Sequence, residues 1–262
     1  MKTAVICFMA FIGSCVGQMA LAQDRSIREF DVSQLEQFGR QLFKQDKEAA
    51  NATDLLLAQS LDLSKEQILG WIVQPLALGD RVRFVRQNGA SIEAAYDITF
   101  GDQGIPALSI PKDRALSQED LAQFAARSLA LQSITDTCSE NYNIVALRDL
   151  DNSGWLVWAL AAATKPKLMV VGGHYRFSIS ADGKTLLRSD ALSRGCLEIP
   201  IKDDAQALVV THLVSATPVE IHVWLSILHR IPLVVGVAGK NFWRVEKGTI
   251  KKLENSPPTE SR

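Results

Sequence analysis

Three of the four histidines in this chain fall within residues 211–230, "THLVSATPVEIHVWLSILHR", together with Glu220. Imidazoles and carboxylates are the ligands of zinc and the proton carriers of hydrolysis, so chemistry is sought here first. The spacing argues against a shared ion. In a helix, the Cα atoms of His222 and His229 stand about 10 Å apart, whereas zinc ligands on one helix recur after three or four residues. His-Glu-x-x-His is absent, and on a helix Glu220 and His222 point to different sides. On a strand they would share a face, with His212 or His174 as a distant third ligand. The candidate ligands are therefore His212, Glu220 and His222. The reading taken is that they hold no metal, that no cofactor is bound, and that these are polar helix-face and core-edge groups.

Other candidates are weaker. "DLDNSG" places Asp149, Asp151 and Ser153 before Gly154 like the start of a calcium loop, but the position of the bidentate glutamate is Leu160. A hairpin turn is the better reading. The paired glycines of "VVGGHYR" mark a strand bulge or a close backbone approach. The arginines of "RVRFVRQ" alternate with apolar residues, as on the solvated face of a strand. Trp155, Trp158 and Trp243 are candidates for an exposed binding surface. The chain has no Gly-x-Ser-x-Gly elbow, phosphate loop or dinucleotide fingerprint, so no catalytic residue is assigned.

The elements that must position these groups follow from pattern. Ser33 with Glu36 reads as a capping box, followed by Leu35, Phe38, Leu42, Ala49 and Leu56 at helical spacing. Ser64 with Gln67 predicts a second, short helix to Trp71. "RVRFVRQNGASIEAAYDITF" alternates around Asn88-Gly89 and predicts a hairpin. A helix capped by Ser117 comes next. After Cys138 come strands: "YNIVALRD" and "GWLVWALAAA" around a turn, "KLMVVGGHYRFSIS" and "KTLLRS" around "ADG", and "ALVVTHLV". Thr217, Pro218 and Glu220 look like an N-cap, a first-turn proline and a capping acid, predicting a helix over 218–230. "VEIHVWLSI" also has period two, so a strand stays open there. "PLVVGVAGKNFWRVEKGTIKKL" predicts two or three more strands. The fold class is α+β: N-terminal helices, then an antiparallel-rich mixed sheet with two packed helices. One domain over 23–253 is expected, with a subdomain break near 105–116 as the alternative, and a polar, disordered tail at 254–262.

With 262 residues, 47% of them hydrophobic, and a formal charge of −1, the chain can bury a large core and carries no electrostatic footprint for nucleic acid. "MKTAVICFMAFIGSCVGQMALAQ" has a basic start, an apolar run and a small-x-small ending, the pattern of a signal peptide over 1–22. A lipid anchor on Cys15 is the minor alternative. The expected location is periplasmic or secreted, with no later membrane span. In that oxidising setting the remaining cysteines, Cys138 and Cys196, are expected to form a disulfide.

Phrases such as "GGHYRFSISADGKTLLRSDALSRGC", "TPVEIHVWLSILHRIPLVVGV" and "FWRVEKGTIKKL" resemble a group of uncharacterised exported proteobacterial proteins, over most of the mature chain. That resemblance implies export and a bacterial source, and no activity. From residue 117 onward the order of elements resembles the JAMM (JAB/MPN) metalloprotease fold. In that likeness Thr217 and Glu220 match the family's Ser and Asp, and His212 its second histidine. Val210 stands where the first histidine belongs, and no upstream catalytic glutamate can be placed, which implies a degenerate member. The functional expectation is an exported, non-catalytic binding or structural protein of the bacterial envelope. Its partner would be a protein or envelope component, held through exposed aromatic and arginine-bearing strands. The alternative is a zinc-dependent peptidase or amidase using His212, Glu220 and His222.

Overall fold

A computed structural model describes residues 26–101 and 104–254. The export segment expected at 1–22, with Cys15, lies outside the described residues, as does the tail beyond 254.

The fold is α+β, with three α-helices and four mostly antiparallel sheets among the described residues. A single helix, α1 (Val32–Leu57), opens it. Its cap is Asp31 rather than Ser33. The Asp31 carboxylate accepts the Gln34 amide at 2.8 Å, and the Gln34 side chain accepts the Asp31 amide at 3.1 Å. The capping box thus lies two residues earlier than expected, because aspartate is as good a cap as serine. Glu36 is freed to accept the Ile250 amide at 2.7 Å, which ties α1 to the C-terminal hairpin. No second helix follows. Residues 63–67 form turns, Gln67 adopts a left-handed φ of 54°, and the Ile68 amide closes on Leu63. A helix cannot pass through that conformation.

The first sheet is a meander of β1 (Ile68–Pro75), β2 (Asp80–Asn88), β3 (Ser91–Phe100) and β4 (Pro106–Ser109), with the predicted Asn88-Gly89 hairpin between β2 and β3. The segment considered as a subdomain break therefore holds an edge strand. Next comes α2 (Gln118–Gln132), capped by Ser117 as expected.

The central sheet runs β5-β6-β8-β9: β5 (Tyr142–Arg148), β6 (Trp155–Ala161), β8 (Tyr175–Ile179) and β9 (Leu186–Ala191). Every residue of β6 is buried, because both faces of the sheet are covered. On one face lie Ala122, Ala126 and Ala130 of α2, against Val157 and Phe177. On the other lie Leu35 and Leu42 of α1 with α3 (Glu220–His229), against Leu156, Trp158 and Leu160. Where α1 meets α3, a Cβ on Gly39 would fall 2.3 Å from the Val223 Cβ, so only glycine allows this approach.

The stretch expected as one glycine-bulged strand is two elements. β7 (Leu168–Val170) pairs with β10 (Glu198–Pro200), and β8 joins the central sheet. Gly173, at φ +82°, makes the break; a Cβ there would strike the Cys138 side chain at 2.2 Å. The expected Cys138–Cys196 disulfide is present, with Cα atoms 5.2 Å apart. The last sheet orders β11 (Leu208–His212), β12 (Leu233–Val237), β13 (Asn241–Glu246) and β14 (Thr249–Leu253). β11 and β12 are parallel, with α3 as their crossover. The segment left open between helix and strand is helical from Glu220 to His229. Among the described residues, no helix is long and apolar enough to cross a membrane.

Candidate functional site

The histidines are brought closer than their spacing suggests. The rings of His212, at the end of β11, and His222, on α3, lie 4.8 Å apart at 89°. The expectation that the imidazoles are dispersed is therefore corrected for this pair, since a crossover helix packs back on its strand. The arrangement is edge-to-face packing, and each ring is already engaged. His222, third residue of α3, accepts the Val219 amide through Nδ1 at 3.0 Å; Val219, rather than the expected Thr217, is the N-cap and supplies no side-chain bond of its own. The Ser215 hydroxyl donates to the Thr217 carbonyl at 2.6 Å, so it accepts from His212 Nε2, 2.7 Å away. His174 accepts the Ala161 amide at 3.0 Å through Nδ1 and, as the Nε2–H tautomer, donates to the Val170 carbonyl at 2.9 Å. Burial holds His174 and His212 down to about 4, and pushes His222 well below the usual imidazole range.

Glu220 does not join them. It is fully buried on the other side of α3, accepting from Trp158 Nε1 at 2.6 Å and Arg176 at 2.9 Å. Arg176 also donates to Asp190 at 3.0 Å and to the Arg28 carbonyl. Arg28 in turn pairs with Asp149 at 2.6 Å and Asp151 at 2.7 Å. The calcium-like turn is thus the anchor of the N-terminal segment. Among the described residues, no three His, Cys, Asp or Glu side chains form a group that could hold a metal.

The surface expected for binding is also reassigned. Trp155 and Trp158 are buried, and Trp243 is half-buried. Arg83 is buried in a two-pronged pair with Asp97, both contacts at 2.8 Å, because α2 covers that face of the first sheet. Arg81 reaches Gln74 and Arg86 reaches Glu93, at 2.8 and 2.6 Å.

A cavity of about 210 Å³ opens beside His212 and His222, and a larger one lies elsewhere. One face of α2 carries Asp120, Gln123 and Arg127 at helical spacing, buried between two sheet edges. Asp120 accepts from Gln74 on β1 and lies 3.5 Å from Arg83 on β2. Gln123 donates to the Val73 carbonyl on β1 at 3.0 Å and the Ala146 carbonyl on β5 at 3.2 Å. Arg127 donates to the Ile144 carbonyl and lies 5.0 Å over the Trp71 ring, and burial lowers it to about 9. These side chains satisfy edge carbonyls that would otherwise be buried unpaired.

Between this seam and α1 lies a cleft of about 610 Å³, within the usual range for small-molecule sites. Gln37, Gln41 and Gln45 line it from successive turns of α1, and Gln123 and Arg148 line it from the opposite wall. Its charges are paired: Lys44 with Asp80 at 2.8 Å, and Arg148 with Glu119 at 2.7 Å. Arg148 also lies 3.9 Å over the Trp155 ring.

Two amide oxygens are not paired. Gln45 Oε1 is buried without a partner. Gln123, only 5% exposed, has its amino group pinned by two carbonyls, and its Oε1 accepts from no described residue. Behind Lys44 and Asp80, the Glu48 carboxyl is pushed up to about 7 by burial and by hydrogen bonding and charge from Asp80, opposed by Lys44. Glu48 does not line the open space, so it offers no proton to a ligand there.

Sequence reasoning missed this site. The signal available was a glutamine at i, i+4 and i+8 of the first helix, beside its apolar stripe. No family model, curated protein or solved structure matches this chain.

Proposed function

We propose that this is an exported, non-catalytic binding protein of the bacterial envelope, and that it binds in the glutamine-lined cleft rather than through exposed aromatic strands. One observation carries the reading. The cleft is where open space meets polar side chains with unused hydrogen-bonding capacity: Gln37 and Gln41 bond to no described residue, and Gln123 Oε1 accepts from none. Such groups give specificity once a ligand pairs with them. The leader-like first residues and the Cys138–Cys196 disulfide support export. The zinc-hydrolase alternative draws no support from the geometry, since Glu220 is turned away from His212 and His222 to Arg176.

The test is a thermal-shift comparison with a low-molecular-weight envelope extract. The expected result is a raised Tm for the wild-type chain and none for Gln41→Trp, which fills the cleft. An equal shift in both proteins would place binding elsewhere. Stoichiometric zinc in purified protein, lost on His212→Ala, would restore the hydrolase reading.

A further inference from the structure

We infer that a second site, a slot between α1, the end of α3 and the β13–β14 turn, takes a small amphipathic carboxylate, a medium-chain fatty acid. Its chain lies on apolar walls and its head between Arg230 and Lys247. The slot measures about 320 Å³, at the lower end of small-molecule sites. Phe43 stands two positions from Gln41 and from Gln45, so it projects from the other side of α1. The slot shares no lining residue with the glutamine cleft.

Phe43, Ile227, Ile231 and Pro232 form the walls, and each is half-buried. Ser226, the one neutral polar lining residue, is buried and donates to the Val245 carbonyl at 3.2 Å. The walls therefore offer contact to hydrocarbon and no hydrogen bond.

Three charged residues complete the lining. Glu246 is paired with Arg244 at 2.8 Å, with Lys247 3.9 Å away on its other oxygen. The Arg230 side chain pairs with no described residue; its one bond runs from its backbone amide to the Ile227 carbonyl. Lys47 lies 5.9 Å over the Phe43 ring, so the surroundings of the slot are positive on balance.

The backbone under these two cations is unusual. Arg230 ends α3 at a φ of 56°, and Lys247 turns β13 into β14 at 51°, followed by Gly248 at 82°. At such left-handed positions glycine or asparagine is the unstrained choice. Arginine and lysine there cost stability, and neither side chain makes a hydrogen bond to a described residue that would offset the cost. A ligand for the two cations supplies the missing reason. A bare carboxylate or phosphate would leave the walls wet, a neutral hydrocarbon would ignore the cations, and an amine would be repelled. A guanidinium forks onto the two oxygens of a carboxylate while an acyl tail covers the walls.

Isothermal titration tests the assignment with octanoate, against butyrate, octanol and octylamine. Octanoate is expected to bind saturably at one site. Its affinity should exceed that for butyrate by more than about tenfold, since four further methylenes leave water, and octanol and octylamine should bind more weakly by a similar factor. Arg230→Gly removes the head contact and relieves the left-handed residue. It is expected to weaken octanoate about tenfold while raising the Tm of the ligand-free protein, a pairing of signs that a structural arginine would not give. Lys247→Asn, which creates an Asn-Gly turn, should act in the same two directions with a smaller loss of binding. Gln41→Trp, which fills the glutamine cleft, should leave octanoate binding unchanged, so the two sites stand or fall separately. Octanol or octylamine binding as tightly as octanoate would overturn the assignment. So would octanoate binding that ignores both substitutions, or that is lost in Gln41→Trp. A lowered Tm for Arg230→Gly would show that the arginine serves the fold and overturn its role. No binding of octanoate at millimolar concentration would overturn the slot and leave the glutamine cleft untouched.

Discussion

The histidine corner and the glutamine cleft differ in an instructive way. The corner gathers the residue types from which active sites are made, yet each side chain there is occupied with the fold. His222 accepts the N-cap amide of α3, His174 bridges two backbone groups, and Glu220 is sealed in the core with Arg176 and Trp158. Some atoms in that core remain unpaired, namely Arg176 Nε and Glu220 Oε2, but they adjoin no cavity a ligand could enter. The cleft is lined by glutamines, which rarely attract notice, and the uncommitted side chains of Gln37, Gln41 and Gln123 face open space there. Function is read from uncommitted groups in accessible places rather than from reactive residue types.

That contrast can be broken by experiment. The corner and its core should govern stability and leave binding alone. Arg176→Met would strand Glu220 as a buried carboxylate, while Asp190 keeps Arg188 at 2.6 Å, and is expected to cost toward about 5 kcal/mol in urea unfolding. A neutral result would show that Glu220 does not depend on the guanidinium. Cys196→Ala, which opens a loop with a sequence separation of 58, is expected to cost about 4 kcal/mol. Free-thiol titration of the unfolded wild type should find no reactive cysteine among the two.

The pH dependence sharpens the comparison further. His174 and His212 stay neutral in the fold down to about 4, while the imidazoles of the unfolded chain take up protons below their ordinary value of 6.5. Stability therefore falls as pH drops from 6.5 to 4, with a loss of up to about 3 kcal/mol for each imidazole, and levels off below that. Glu48, raised to about 7 from 4.5, acts in the opposite sense: its contribution is full below 4.5 and is lost as pH rises toward 7. His212→Gln should flatten the acid slope and leave the Glu48 limb in place. An unchanged slope would mean that His212 takes up its proton without unfolding. The smallest effect belongs to the cleft. Gln45→Met is expected to stabilise the ligand-free protein by about 1 kcal/mol, the reverse of every substitution in the corner. A loss of stability there would mean that Gln45 serves the fold.

Local features of the chain were legible from residue order alone. The Asn88-Gly89 hairpin, the Ser117 cap, the continuous apolar run of β6 and the pairing of Cys138 with Cys196 all depend on neighbours in sequence or on a simple count. The start of α1 was misplaced by two residues because Asp31 and Ser33 are both capable caps. The segment after Ser64 was misread because its capping pattern competes with a strand partner, β2, that only the sheet supplies.

The candidate site was hidden for a related reason. Whether an arginine on an alternating strand meets water or Asp97 depends on a helix more than thirty residues away, and the partners of Gln123 on that helix are strand carbonyls 23 and 50 residues away. Sequence by itself determined the fold class, the principal hairpins, the α2 cap and the crosslink, since caps, turns and periodicity act over a few residues. Only the tertiary structure decided which polar groups are satisfied and which remain open. Satisfaction is a property of the partners that packing brings to an atom, and residue types alone do not specify those partners.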